Sequence, residues 1–426
     1  VRYSIDWQDD AVNAAPEERA TIGDLRLFLN DQNVTKHMLD DRIGDHVTVA
    51  LYGLVDGLVH DWWSIFGARD REFSLKRYRT GYLLPDVRIQ FDGAVFEISA
   101  HQCAYTDPDL RFWGGTSEVL SREQGESWLS QLVQEVLGRL EERGAEGTSA
   151  ALRWRRVQSS LASDERFFCE AAGSLGLDPY QIADDAADFI ERAESIFQSE
   201  SLVEFVSGAG EVDRLRLINW VDRMTRTKGF GYRLANLRPI VDEIAGEVPR
   251  HAGEEAWAAG YRRARAMRKT LGLKQHHRFS SFGDLARLLG AGKSYNLAPM
   301  VNGISALRRE TSDGINVHLR NHGDFEGAKA THLFALARAI GDAACFPAPE
   351  TAPINRLRNA YRQAAGRAFA AELLAPIEEI RSMISDERDE YSIANELGVA
   401  PSVIERQIDN QERIDQACAK AGAPGH

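Results

Sequence analysis

The sequence predicts a mixed α+β protein, predominantly helical, with an α+β N-terminal domain, an all-helical middle and a mixed C-terminal domain. Three observations predict it. Short β-branched and aromatic runs cluster before residue 100. Apolar residues at three- and four-residue spacing mark long stretches of the remainder as helix. The length of 426 residues allows about three compact domains at one per ~150 residues.

Taken in order, residues 26–29, 47–51, 87–91 and 94–99 read as strands, and the last two flank Asp92-Gly93, a dipeptide suited to a type I′ hairpin turn. Residues 51–66 and 123–142 carry helical spacing, the second through Trp128, Leu129, Leu132, Val133, Val136, Leu137 and Leu140. The polar run 143–149, with Gly144 and Gly147, closes a first domain over 1–147. Residues 148–250 show only successive helices, such as 186–197 and 215–224. Past Pro249 the pattern is mixed again over 251–426. Helices are expected over 254–271, 282–289, 328–345, 354–374 and from 393 onward, and a strand over 315–319.

Composition excludes several classes. Hydrophobic residues make up 43% of the chain, enough to form substantial cores and to exclude a wholly disordered protein. No apolar run reaches the ~18 residues of a membrane helix, and VRYSIDWQDD carries no leader signal, so a cytoplasmic protein without a membrane partner is expected. Cys103, Cys169, Cys345 and Cys418 stand far apart, with no CxxC pair, and read as reduced. Lys plus Arg against Asp plus Glu is 51 minus 64, or −13. Such a chain does not coat nucleic acid at large, so any contact with a polyanion is local.

The best local candidate is the run Arg262, Arg263, Arg265, Arg268, Lys269, Lys274 and Arg278, with no acid among its 17 residues. Arg262, Arg265 and Lys269 share a helix face and could track phosphates; a solvated face paired with nearby acids explains them equally. Shorter sets, Lys228, Phe230, Tyr232 and Arg233, and Lys76, Arg77, Tyr78 and Arg79, interleave cations with rings able to stack on bases. Residues 391–411 place Ala394, Gly398 and Ile404 where two short helices cross tightly, and Pro401 suits a first helical turn. That spacing fits a helix-turn-helix whose Ser402, Arg406, Gln407 and Asn410 face a DNA groove, or a packed helix pair, which Glu405 and Asp409 favour. Ala172, Gly176 and Ile182 repeat the spacing, but Asp184, Asp185 and Asp188 would repel phosphate, which favours a structural or protein-contact role.

Other patterns carry less. Gly290-Ala291-Gly292-Lys293-Ser294 resembles the end of a phosphate loop, yet Arg287 stands where glycine is needed, and a helix stop fits better. His318 and His322 have the spacing of a helical zinc pair, but 315–319 reads as extended, where four residues span ~13 Å. Trp62 and Trp63 beside His60 and Asp61 read as core, or as the lining of a ligand pocket.

Residues 333–346 (LFALARAIGDAACF), 361–380 (YRQAAGRAFAAELLAPIEEI) and 391–411 together resemble the C-terminal half of the ImmA/IrrE family of bacterial proteins, AFAAELLAP being the most specific piece. The resemblance spans about 160 residues, 254–411, and extends more loosely to FFCEAAGSLGLDPY. It implies a zincin-like α+β domain over 251–426, ending in a helix-turn-helix-like pair. In that family a helix carries HExxH, whose histidines and a later glutamate bind zinc while the motif's glutamate is the general base. Here Arg338 and Asp342 fall on the histidine positions, Ala339 on the base and Gln363 on the third ligand. A guanidinium opposes a divalent cation, one carboxylate and one amide do not make a three-ligand site, and alanine accepts no proton. An Arg338–Asp342 ion pair is expected in the vacated site.

By resemblance the chain is therefore a pseudo-peptidase with no catalytic residue, metal or cofactor. It reads as a regulator or sensor in stress response, mobile-element control or phage defence, with local DNA binding through Arg262, Arg265, Lys269, Lys274, Arg278 and the terminal helix pair. Two rivals stand beside it: a peptidase with a relocated metal on His318, His322 and His332, and a protein-only adaptor whose partner belongs to a defence or toxin–antitoxin assembly.

Overall fold

The structure is a computed structural model that describes residues 1–9, 14–105, 109–210, 212–227, 231–251, 253–292, 296–312, 314–324 and 327–422, with side chains to 413. It is mixed α+β, with 51% of residues in helices and 19% in strands, as the predominantly helical expectation requires. Two compact units form, one of residues 1–191 and 202–210, the other of 192–201 and 211–426, so the expected middle segment 148–250 is divided between them.

The first unit holds three four-stranded sheets whose pairings are all antiparallel. In one of them, Thr116–Ser121, Val95–His101, Asp86–Phe91 and Phe73–Ser74 lie side by side. The expected hairpin is there, but Phe91 faces Phe96, and Asp92 accepts hydrogen bonds from the backbone N–H groups of Ala94 and Val95. The aspartate side chain therefore holds the turn, with Gly93 at φ +100°. Helix Leu51–Gly67 is buried along most of its length, and Trp62 packs edge-on against Trp154. Trp62 and Trp63 are thus core, and the Trp63 indole donates to the Tyr180 hydroxyl. Glycines let helix Arg166–Ser174 press on this one: a Cβ on Gly173 would lie 2.2 Å from the backbone of Trp63, and one on Gly67 2.1 Å from the Glu170 carbonyl.

The second unit has one antiparallel sheet in the order Tyr232–Leu234, Gly314–Leu319, Ala306–Thr311, Thr351–Ile354. Only Gly314–Leu319 matches an expected strand; Ala306–Thr311 pairs beside it unannounced by the sequence pattern, and the two others also depart from expectation. Tyr232–Leu234 has three residues, too few to show a period, and forms because Ile315–Val317 pairs with it. Thr351–Ile354 is extended where helix is expected from 354, because Pro353 suits an edge strand facing Leu307. The helix starts only at Tyr361. Helix Ala328–Cys345 is buried from Ala335 to Cys345 on every side, which its alanines and glycine permit. It packs with Ala256–Thr270 and Tyr361–Leu374. Gly341 lies under the Phe369 ring, and Gly260 faces the backbone of Ala365 and Phe369, where a Cβ would sit 2.4 and 2.6 Å away. Helix Ile377–Ser385 follows, and then helix Glu390–Leu397 ends at Gly398 in the left-handed region before Pro401–Gly422 begins. None of the described helices is long and apolar enough to cross a membrane.

Candidate functional site

Arg338, Asp342 and Gln363, the positions that the resemblance sets against zinc ligands, lie on helices Ala328–Cys345 and Tyr361–Leu374, and part of the expected constellation comes together. Arg338 donates to Gln363 Oε1 at 2.8 Å and to the Asn355 carbonyl at 2.6 Å. Gln363 also accepts from the Asn355 N–H at 3.0 Å and donates to the Pro353 carbonyl at 2.8 Å. Arg338 and Gln363 are thus bonded to each other through a guanidinium and an amide. Ala339 is fully buried.

The expected Arg338–Asp342 pair is not what forms, although both residues lie on one helix. Asp342, 1% exposed, accepts from Arg308 Nε at 2.7 Å and from both Nε and an NH2 group of Arg362, the latter at 2.9 Å. Burial raises the pKa of its carboxyl, but Arg362 and Arg308 outweigh that and hold it below the ordinary carboxylate value. Both arginines also reach Glu350, at 3.3 and 2.8 Å, and Ser201 bridges Arg362 to Glu350. The i, i+4 rule failed because two better-placed guanidiniums, 34 and 20 residues away in sequence, claim both carboxylate oxygens. A divalent cation does not fit a position already so filled.

Of the rival metal set, His322 and His332 stand side by side, their ring centroids 5.1 Å apart, but no third metal-binding side chain among the described residues joins them. His318 lies in the strand, 5% exposed, and burial, with the charge of Arg309, pushes its pKa down to about 4. His332 Nε2 accepts the His322 backbone N–H at 3.2 Å, so its lone pair is in use. Arg320 donates to His322 Nδ1 at 2.7 Å. Among the described residues no group of three or more metal-binding side chains stands together.

Most of the basic run is compensated. Arg262 pairs with Glu254 at 2.9 Å, Arg265 with Glu372 at 2.7 Å, Lys269 with Glu247, and Arg278 with Glu379 and Glu396. Arg263 and Arg268 are buried, the latter donating to three backbone carbonyls. Lys274 is exposed. In the shorter set 228–233, residues 228–230 lie outside the described residues, as do Lys293 and Ser294 of the glycine-rich segment. On the terminal helix, Ser402 and Arg406 are exposed, but Gln407 is 1% exposed and donates to Glu372 and to the Ala375 carbonyl, at 3.0 and 2.9 Å. Asn410 donates to the Tyr261 hydroxyl at 2.9 Å. Gln407 therefore ties the helix to the core instead of facing outward.

Those terminal residues border a cleft that sequence reasoning missed. Two adjoining hollows of about 440 and 560 Å³ share Phe334, Arg338, Arg356, Ser402 and Val403. The first adds Arg358, Arg367 and Arg406 with Trp257 and Tyr261; the second adds His322 and the first turn of the terminal helix. No acidic side chain among the described residues lines either. Arg367 donates to the Leu357 and Arg358 carbonyls and so fixes the loop that presents Arg356 and Arg358. One sequence signal existed: residues 351–371 contain Arg356, Arg358, Arg362 and Arg367 and no acid. The hollows of the first unit are lined by both charge signs, Glu72, Glu97 and Arg88 in one and Asp9, Glu17 and Arg143 in another.

The comparisons with known proteins add no relative: no family model, no curated protein and no solved structure matches this chain.

Proposed function

We propose that this chain is a noncatalytic ImmA/IrrE-like bacterial regulator or sensor, acting in stress response, mobile-element control or phage defence, with a zincin-like C-terminal domain whose former metal cleft is kept for recognition. One observation carries the proposal: where that family holds zinc, Arg338 and Gln363 bind each other and Asp342 is locked between Arg308 and Arg362. Neither a hydrolytic metal nor a general base is supplied by those side chains. Local DNA contact belongs to the same proposal, through the exposed Lys274, Ser402 and Arg406.

The pairing of Arg262, Arg265, Lys269 and Arg278 with glutamates favours a second reading, a protein-only adaptor in a defence or toxin–antitoxin assembly, since offset charges release few counterions. Two measurements separate the readings. Protein purified without a histidine tag and incubated with zinc at neutral pH is expected to retain less than stoichiometric metal; one zinc per chain would favour the peptidase. Fluorescence anisotropy with duplex DNA at low salt should show salt-sensitive binding that weakens in Lys274→Glu. Its complete absence leaves the adaptor.

A further inference from the structure

Five arginines and no acidic side chain among the described residues line the two hollows, in a chain whose net charge is −13. Arg356 and Arg406 are exposed and make no ion pair or side-chain hydrogen bond among the described residues. A basic group set for fold stability would sit opposite a carboxylate, as Arg262 and Arg265 do. Arg356 and Arg406 instead face a space with no carboxylate among the described residues in its lining, which favours an anion there.

Two further features point to the same class of ligand. His322 Nδ1 accepts from Arg320, so the neutral ring carries its proton on Nε2. That Nε2–H is buried and has no partner among the described residues, and the ring lines the cleft. It is a donor waiting for an acceptor. The first turn of the 22-residue terminal helix borders the same hollow, with Pro401, Ser402 and Val403 in its lining, and helix N-termini favour phosphate oxygens. Beside the arginines, Trp257 and Tyr261 lie edge to face at 5.9 Å, with Phe334 across the shared wall, giving an apolar and aromatic surface next to the cationic one.

We infer that this cleft binds a nucleoside phosphate, its phosphates held by Arg356, Arg406 and His322 and its base set against Trp257 and Tyr261. The volumes suit a small ligand of that size. Arginine forks match phosphate oxygens two at a time, and aromatic faces accept any base. The inference deepens the sensor reading by naming a ligand class, and it rests on the cleft as a recognition site, not on the presence or absence of zinc or of DNA binding.

The test is isothermal titration of the full chain with ATP, with tripolyphosphate and with adenosine at low salt. ATP is expected to bind, tripolyphosphate to compete with it, and adenosine alone to bind more weakly. Arg356→Glu and Arg406→Glu, both at exposed positions, should each weaken ATP at least about tenfold, and Trp257→Ala should weaken ATP but not tripolyphosphate. Lys274→Glu, outside the cleft, should leave ATP unchanged. No binding of ATP or tripolyphosphate by folded protein overturns the inference, and so does ATP affinity that survives the Arg356→Glu/Arg406→Glu double variant. Equal affinity for ATP and tripolyphosphate overturns the base half. The regulator reading has its own separate test in the zinc analysis, so the two can fail independently.

Discussion

Replacing Asp342 by Asn removes one charge and leaves the shape nearly intact, which isolates what the carboxylate does. Arg308 is 0% and Arg362 7% exposed, so neither guanidinium can turn to water when its counter-charge goes. Breaking a buried ion pair from one side costs about 3–5 kcal/mol, because the orphaned charge keeps its desolvation penalty. Glu350 still touches both arginines and reduces the loss toward the lower end. Hydrogen exchange followed by mass spectrometry reads this within one unit. Amides of helix Ala328–Cys345 should exchange about a hundred- to a thousandfold faster in Asp342→Asn, since each 1.4 kcal/mol is tenfold, while those of Leu51–Gly67 in the other unit should not change. Arg308→Met combined with Asp342→Asn should cost less than the sum of the single changes, by about 1 kcal/mol or more. The carboxyl also sets a sign for pH. Its pKa is depressed in the fold, so its contribution is complete above the unfolded carboxylate value and disappears as pH falls through the folded one. A destabilisation below about 1 kcal/mol, or strict additivity with Arg308→Met, would refute the account of Asp342 as the anchor of the network.

Other changes follow from single contacts. His318, buried with its pKa pushed down to about 4, is neutral in the fold and protonates on unfolding; its contribution is therefore complete above about pH 6.5 and is lost as pH falls toward 4. Urea midpoints should drop between pH 7 and 5 and drop less in His318→Asn; equal slopes would remove His318 as the cause. Gln407→Leu leaves the Ala375 carbonyl without its side-chain donor and should cost about 1–3 kcal/mol by denaturant titration. Gly260→Ala forces a methyl against the backbone of Ala365 and should cost about 1–3 kcal/mol, whereas Gly138→Ala, mid-helix with open space around it, should stabilise by about 0.5–1 kcal/mol. Opposite signs in thermal melts check the pair.

Local signals were the legible ones. Helix 328–345 was legible as an alanine-rich segment between Gly327 and Pro347, and 315–319 was recognised as extended from its alternation. The helix pair around Gly398 was legible through one glycine, which the fold does place at φ +66° to end a helix. Strand Tyr232–Leu234 was not, because its extended state comes from Ile315–Val317, more than 80 residues later. The same limit governs the arginine run. Spacing put Arg262, Arg265 and Lys269 on one helix face, but Glu254, Glu372 and Glu247, which neutralise them, come from three other segments.

The segment from Arg338 to Gln363 shows why the chemistry of side chains can be read locally while their pairing cannot. That Arg338, Ala339, Asp342 and Gln363 fail as a zinc set follows from their functional groups alone, whatever the fold. How these side chains pair does not follow, because an arginine and an aspartate four residues apart satisfy the helical pairing rule and yet separate. Arg338 turns to Gln363 and the Asn355 carbonyl, while Asp342 is taken by Arg308 from a strand and Arg362 from the next helix. The division has an electrostatic result. Asp342 and Glu350 are committed to Arg308 and Arg362, while the hollow that Arg338, Arg356 and Arg406 line has no carboxylate among the described residues in its wall. The aspartate that spacing would set against Arg338 thus serves a buried network, and the lining of the hollow carries positive charge.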